Sequence, residues 1–253
     1  MASVQLALHD VSVTFGSDVL LNRVNLSVMQ GEFLVLVGPS GMGKTVLLKL
    51  FAGLLKPTAG NVTIDGADLN AIAQAELEQI LLKVGMLFQK NALFDSLTVG
   101  ENVAFPLREK TDLDDGAIGA KVDYFLEQVG IGHAKDLFPD EISGGMQKRL
   151  GIARALALAP KIVLYDDPTA GLDPITSRRI IELILQLRQE NKSTVIAVTN
   201  DMARAYQMAD RIAMVVNGEV LVTGNKEQTL QHRDPRVRQF VRGQLDGPLT
   251  EML

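Results

Sequence analysis

"FLVLVGPSGMGKTVLL", residues 33–48, decides the fold. Five apolar residues of strand length run into a glycine-rich turn, and a helical spacing of apolar residues follows at once. Strand, GxxxxGK[ST], helix is the order of a phosphate-binding P-loop, met here by Gly38, Pro39, Ser40, Gly41, Met42, Gly43, Lys44 and Thr45. The glycines let the backbone curl so that its N–H groups surround phosphate oxygens, and the helix N-terminus adds partial positive charge. Lys44 then reaches the β- and γ-phosphates of a nucleoside triphosphate, and the Thr45 hydroxyl binds Mg²⁺. The alternative, a glycine-rich turn with an incidental lysine, does not account for the flanking strand and helix.

The remaining pattern agrees with an α/β chain. Its 253 residues are enough for one large domain or two small ones. Although 47% are hydrophobic, they fall in strand-length runs such as "FLVLVG" and "STVIAVT", the mark of a parallel sheet buried on both faces. No apolar stretch is long enough to span a membrane, and "MASVQLALHD" lacks the basic and apolar regions of a signal peptide, so a cytosolic location is expected. The absence of cysteine excludes disulfides and thiolate metal sites. A net charge of −5 argues against nucleic-acid binding. Strand runs at 4–37 and 60–66 predict an antiparallel patch, and helical periods are read at 43–53, 75–83, 114–129 and 143–159. Residues 91–159 carry no convincing strand and read as a helical insert, strands resume at 162–166, 194–199, 212–216 and 219–222, and a charged helical tail follows.

A second anion-binding motif lies about 100 residues after the first. "ISGGMQKR", Ile142 to Arg149, puts Ser143, Gly144 and Gly145 at the start of a long helix. One nucleotide does not need two such sites in one chain. A head-to-tail dimer uses both, the serine-led helix of one copy covering the γ-phosphate held by the P-loop of the other. Taken alone, Ser143 also reads as an ordinary helix N-cap.

The order P-loop, "FQ" (Phe88, Gln89), "ISGGM", "YDD", "AGLD" resembles the nucleotide-binding domain of ATP-binding-cassette (ABC) proteins over residues 4–225. The resemblance implies a P-loop NTPase with a RecA-like parallel core, an antiparallel β subdomain, a helical subdomain at about 91–159 and a C-terminal extension at 226–253. It further implies that Phe15 stacks on adenine, that Gln89 contacts Mg²⁺ and communicates with a membrane partner, and that Asp166 supports the metal. Ser143, Gly144 and Gly145 act in trans, and Asp173 lies at the dimer seam. An aromatic ring does suit a base, although core packing is the alternative for Phe15.

Two positions depart from the family pattern. The usual general base is a glutamate after the strand aspartate and the usual switch residue is a histidine after the next strand; this chain has Asp167 and, in "VIAVTND", Asn200. His9, His133 and His232 are its only histidines and read as surface or structural residues. Aspartate is shorter than glutamate by roughly 1.5 Å. A misplacement of about 1 Å near the chemistry can cost on the order of a hundredfold in rate. Asn200 can hydrogen-bond a γ-phosphate but carries neither proton nor charge. ATP binding is expected to survive, with Lys44, Gln89, Asp167 and Asn200 supporting slow hydrolysis.

"ALFDSLTVGENVAFPLRE", residues 92–109, and the tail "DPRVRQFVRGQLDGP", residues 234–248, resemble the ATPases of Mla- and Mce-type lipid transporters. That resemblance implies a second copy or paralogue, a membrane permease, an MCE lipid-binding protein, a STAS-domain partner and a place on the cytoplasmic face of the inner membrane. It also implies that the extension contacts the other protomer. Val237, Phe240, Val241 and Leu245 form an apolar stripe for which a partner surface is expected. The alternatives are an ATP-gated dimerisation module, or the degenerate half of a mixed ATPase dimer.

Overall fold

The computed structural model describes residues 3–250; the first two and last three positions of the expected cassette and extension lie outside the described residues. Its first stretch contains β1 (Val4–Phe15), β2 (Asp18–Met29), β3 (Phe33–Val37), α1 (Lys44–Phe51), β4 (Ala59–Ile64), β5 (Ala67–Asp68) and α2 (Gln74–Leu81). Then come β6 (Val84–Leu87), α3 (Val99–Lys110), α4 (Asp115–Gln128), α5 (Gly144–Leu156), β7 (Ile162–Asp166) and α6 (Pro174–Asn191). The chain continues with β8 (Thr194–Val198), α7 (Met202–Met208), β9 (Arg211–Val216), β10 (Glu219–Gly224), α8 (Lys226–Leu230) and α9 (Pro235–Arg242). Two compact units result, one formed by the described residues up to Glu78 with those from Thr194 onward, the other by Gln79–Ser193.

In the first unit, β2, β1, β4 and β5 pair antiparallel, as the alternating sequence predicts. β3 pairs parallel with β8 on one side and β9 on the other, and β10 adds antiparallel to β9. Every residue of β3 and β8 is buried, which is why both read as continuous apolar runs rather than alternating ones. Arg211, at the start of β9, pairs with Glu32 at 2.5 Å.

The second unit holds β6 and β7 in parallel register, Val84 beside Ile162 and Leu87 beside Tyr165. α5 packs close against β6: a Cβ at Gly85 would lie 2.2 Å from the Ala155 carbonyl oxygen, so no larger residue fits there. Two elements here escaped sequence reading. β6 is four residues long and includes that glycine, which weakens any strand pattern. α3 contains Pro106, a helix breaker, but its capping box, Thr98 with Glu101, was a usable start signal. Asn102, fully buried on α3, orders the preceding loop by donating to the Phe94 and Leu97 carbonyls at 3.0 Å and accepting from the Phe94 N–H at 2.9 Å.

The tail begins as expected, with Asp234 capping α9, Pro235 in its first turn and Gly243 ending it at φ 61°. Val237 is buried on its own chain, whereas Leu245 is 85% exposed. The buried Gln239 fastens the segment after α9, donating to Thr250 Oγ1 at 2.8 Å and accepting from the Leu249 N–H at 2.7 Å. Among the described residues, no helix is long and apolar enough to cross a membrane.

Candidate active site

The phosphate loop belongs to the first unit. β3 delivers the chain to Gly38 at φ 135°, where a Cβ would meet the Val215 carbonyl oxygen of β9 at 2.2 Å. Only glycine can make that turn. Gly41 and Gly43 also have positive φ, and α1 starts without a side-chain cap, leaving its first N–H groups to the loop. Lys44 is buried and donates to the carbonyls of Gly38 and Pro39 at 2.8 and 2.6 Å, which holds its ammonium inside the loop. Thr45 is half-buried in the first turn; Met42 is half-buried and Ser40 exposed. β8 runs beside β3, with Val198 opposite Leu36, and places Asn200 so that its Nδ2 donates to Ser40 Oγ at 3.4 Å. Asn200 therefore meets the rim of the loop. Phe15 stands 52% exposed at the end of β1, which excludes core packing for its ring.

The second unit carries the carboxylates and the serine-led helix. β7, buried along its length, ends at Asp166, and Asp167 follows at φ 46° in the left-handed region. Short turns bring the chain to Asp173, whose Oδ1 accepts from the N–H groups of Ile175 and Thr176 at 2.9 and 3.0 Å and caps α6. Hydrogen bonds from Thr176 hold the Asp173 carboxyl below the usual carboxylate range. Ser143 caps α5, accepting from the Met146 N–H at 3.3 Å. Ser143, Gly144, Gly145 and Asp173 line one cavity of about 580 Å³ together with Arg149 and Arg179. The serine-led helix start and Asp173 thus share one surface within this unit. The two arginines were not found from sequence, since nothing in "QKR" or "SRR" marks which residue faces a cleft.

Lys148 was missed for the same reason. It is 4% exposed, and its Nζ donates to the Gln89 carbonyl at 2.6 Å. Burial pushes its ammonium pKa down, while Asp167 and then Asp166 act to raise it. His9 and His133 are exposed, and the half-buried His232 accepts from the Asp234 N–H at 3.2 Å, a structural contact.

Among the described residues no three His, Asp or Glu side chains form a metal cage. A Mg²⁺ ion carried by nucleotide phosphates needs only one or two protein carboxylates. Thr45 in the first unit, and Gln89 and Asp166 in the second, each carry the oxygen donor type that a hard cation takes.

The ABC transporter family model matches residues 21–170. The "Intermembrane phospholipid transport system ATP-binding protein MlaF" of Haemophilus influenzae is 41% identical over 234 residues, 92% of this chain and 89% of that protein. The chain belongs to the ABC transporter family. It is an ATP-binding, ATP-hydrolysing motor subunit of the ABC class. The "Probable ribonucleotide transport ATP-binding protein mkl" of Mycobacterium tuberculosis is 39% identical, covering 97% of this chain and 68% of that protein. A dimeric ATP-binding cassette solved in a post-hydrolysis state with ADP and phosphate superposes at a TM-score of 0.78, with 35% identity, 85% of this chain and 96% of that one. The P-loop falls in the first unit and "ISGGM" in the second.

Proposed function

We propose that this subunit drives phospholipid movement between bacterial membranes, working as a dimer on the cytoplasmic face of the inner membrane. The observation that carries the reading is its 41% identity to the phospholipid-transport ATPase over 92% of this chain and 89% of that protein. ATP binds with its adenine on Phe15 and its phosphates on Gly38 to Thr45. Lys44 exchanges the Gly38 and Pro39 carbonyls for phosphate oxygens. Thr45, Gln89 and Asp166 would hold Mg²⁺, which would neutralise phosphate charge when bound. Ser143, Gly144 and Gly145 of one copy close over the nucleotide of the other, with Asp173 at the seam. Residues 1–225 make the cassette, and 226–253 contact the second protomer.

Gln89 and the helical segment at 91–159 transmit closure to a permease, which an MCE lipid-binding protein and a STAS-domain protein accompany. Asp167 orients and deprotonates the attacking water, with Asn200 at the phosphate. The short arm of the one and the missing charge of the other make turnover slow. Purified subunit and permease, reconstituted in vesicles, are expected to transfer phospholipid to acceptor vesicles only with ATP and Mg²⁺. Ribonucleotide uptake without lipid transfer would oppose the proposal.

The same pair of residues favours a second reading, a degenerate half of a mixed dimer whose signature helix serves a better site on a paralogue. In that case turnover rises steeply when the paralogue is added and is negligible without it.

A further inference from the structure

We infer that Lys148 is a positioning residue for hydrolysis: its ammonium ties the Gln89 loop to the carboxylate end of β7 and sets the aim of Asp167. The inference rests on the assignment of Asp167 as the base.

Every contact involved lies within the second unit. β6 and β7 run parallel with Leu87 beside Tyr165, so Phe88–Gln89 and Asp166–Asp167 leave the same end of the strand pair. α5 crosses this end closely, since a Cβ at Gly151 would lie 2.5 Å from the Leu87 side chain. Lys148, one helical turn before Gly151, extends to the same end and donates to the Gln89 carbonyl at 2.6 Å. A buried ammonium is costly unless opposite charge accompanies it, and a neutral carbonyl is not enough. Asp167 and Asp166 are the carboxylates that act on its charge. Lys148 also lies on the helix that Ser143 caps. Movement of the signature end of α5 is therefore delivered through one side chain to both the Gln89 loop and Asp167. A short carboxylate has little reach with which to correct its own aim, so a fixed charge beside it matters more here than it would beside a glutamate.

Single-turnover and steady-state ATP hydrolysis by the full chain test this, with Lys148→Met, Lys148→Gln and Lys148→Arg, each also made in Asp167→Asn. Lys148→Gln keeps an N–H donor on a shorter arm and removes the charge, so it serves if Lys148→Met fails to fold. Both neutral variants are expected to lower kcat by about tenfold with ATP KM within about twofold, Lys148→Arg to recover most of the loss, and neither neutral change to slow Asp167→Asn further. A raised KM at unchanged kcat, or wild-type turnover by Lys148→Gln, would overturn the inference. So would equal losses in both backgrounds, and that outcome leaves Asp167 as the base. Full turnover by Asp167→Asn would remove the base assignment and the inference together.

Discussion

Asp167 occupies left-handed backbone at φ 46°, a region in which aspartate and asparagine are enriched and longer side chains are not. The residue type that looks short for its task therefore suits the turn that follows β7. The two demands separate in Asp167→Glu. The longer arm is expected to raise kcat by about tenfold at little change in KM, while the left-handed backbone costs up to about 1 kcal/mol of stability. Steady-state kinetics beside urea denaturation measures both; an unchanged rate means that reach does not limit hydrolysis.

At the scale of elements, caps carry much of the local specification. Thr98 accepts from the Glu101 N–H, and the Glu101 carboxylate accepts from the Thr98 N–H at 2.8 Å. Thr98→Ala breaks that box and is expected to cost about 1 kcal/mol in urea denaturation, with ATP affinity unchanged. α9 adds charge to its cap. Asp234 accepts from Arg236 at 2.9 Å, and that hydrogen bond holds its carboxyl below the ordinary value of 3.8. Because the folded pKa is the lower one, its stabilisation is fully present above 3.8 and disappears as pH falls through the folded value. Asp234→Asn should lower the melting temperature at pH 6, and the difference from wild type should shrink in acid below pH 3.8. A difference independent of pH would mean that the carboxylate charge is not what holds α9.

For the whole molecule, the decisive property is association. The cavity shared by Ser143, Gly144, Gly145 and Asp173 opens to solvent in the single chain, as a surface meant for a second copy's phosphates would. ATP is expected to shift Asp167→Asn from monomer to dimer in analytical ultracentrifugation, and Ser143→Arg in that background to prevent the shift while ATP still binds. Dimerisation of the Ser143→Arg form would place the contact elsewhere.

The sequence by itself determined the P-loop, the serine-led helix start, the buried parallel strands and the two departures at Asp167 and Asn200. These features are contiguous in the chain and depend on backbone curvature, helix ends and burial patterns that neighbouring residues dictate. β6 and α3 were less legible, one because a glycine interrupts a four-residue strand held by β7, the other because Pro106 conceals a helix that its own cap announces. Only the tertiary structure decided that Phe15 stands exposed, that Asp167 takes left-handed backbone and that Arg149 and Arg179 face the signature cleft. It also decided that Lys148 meets Gln89, a residue 59 positions away. Such contacts follow from packing between distant segments, and local side-chain pattern does not encode which of two adjacent lysines or arginines turns inward.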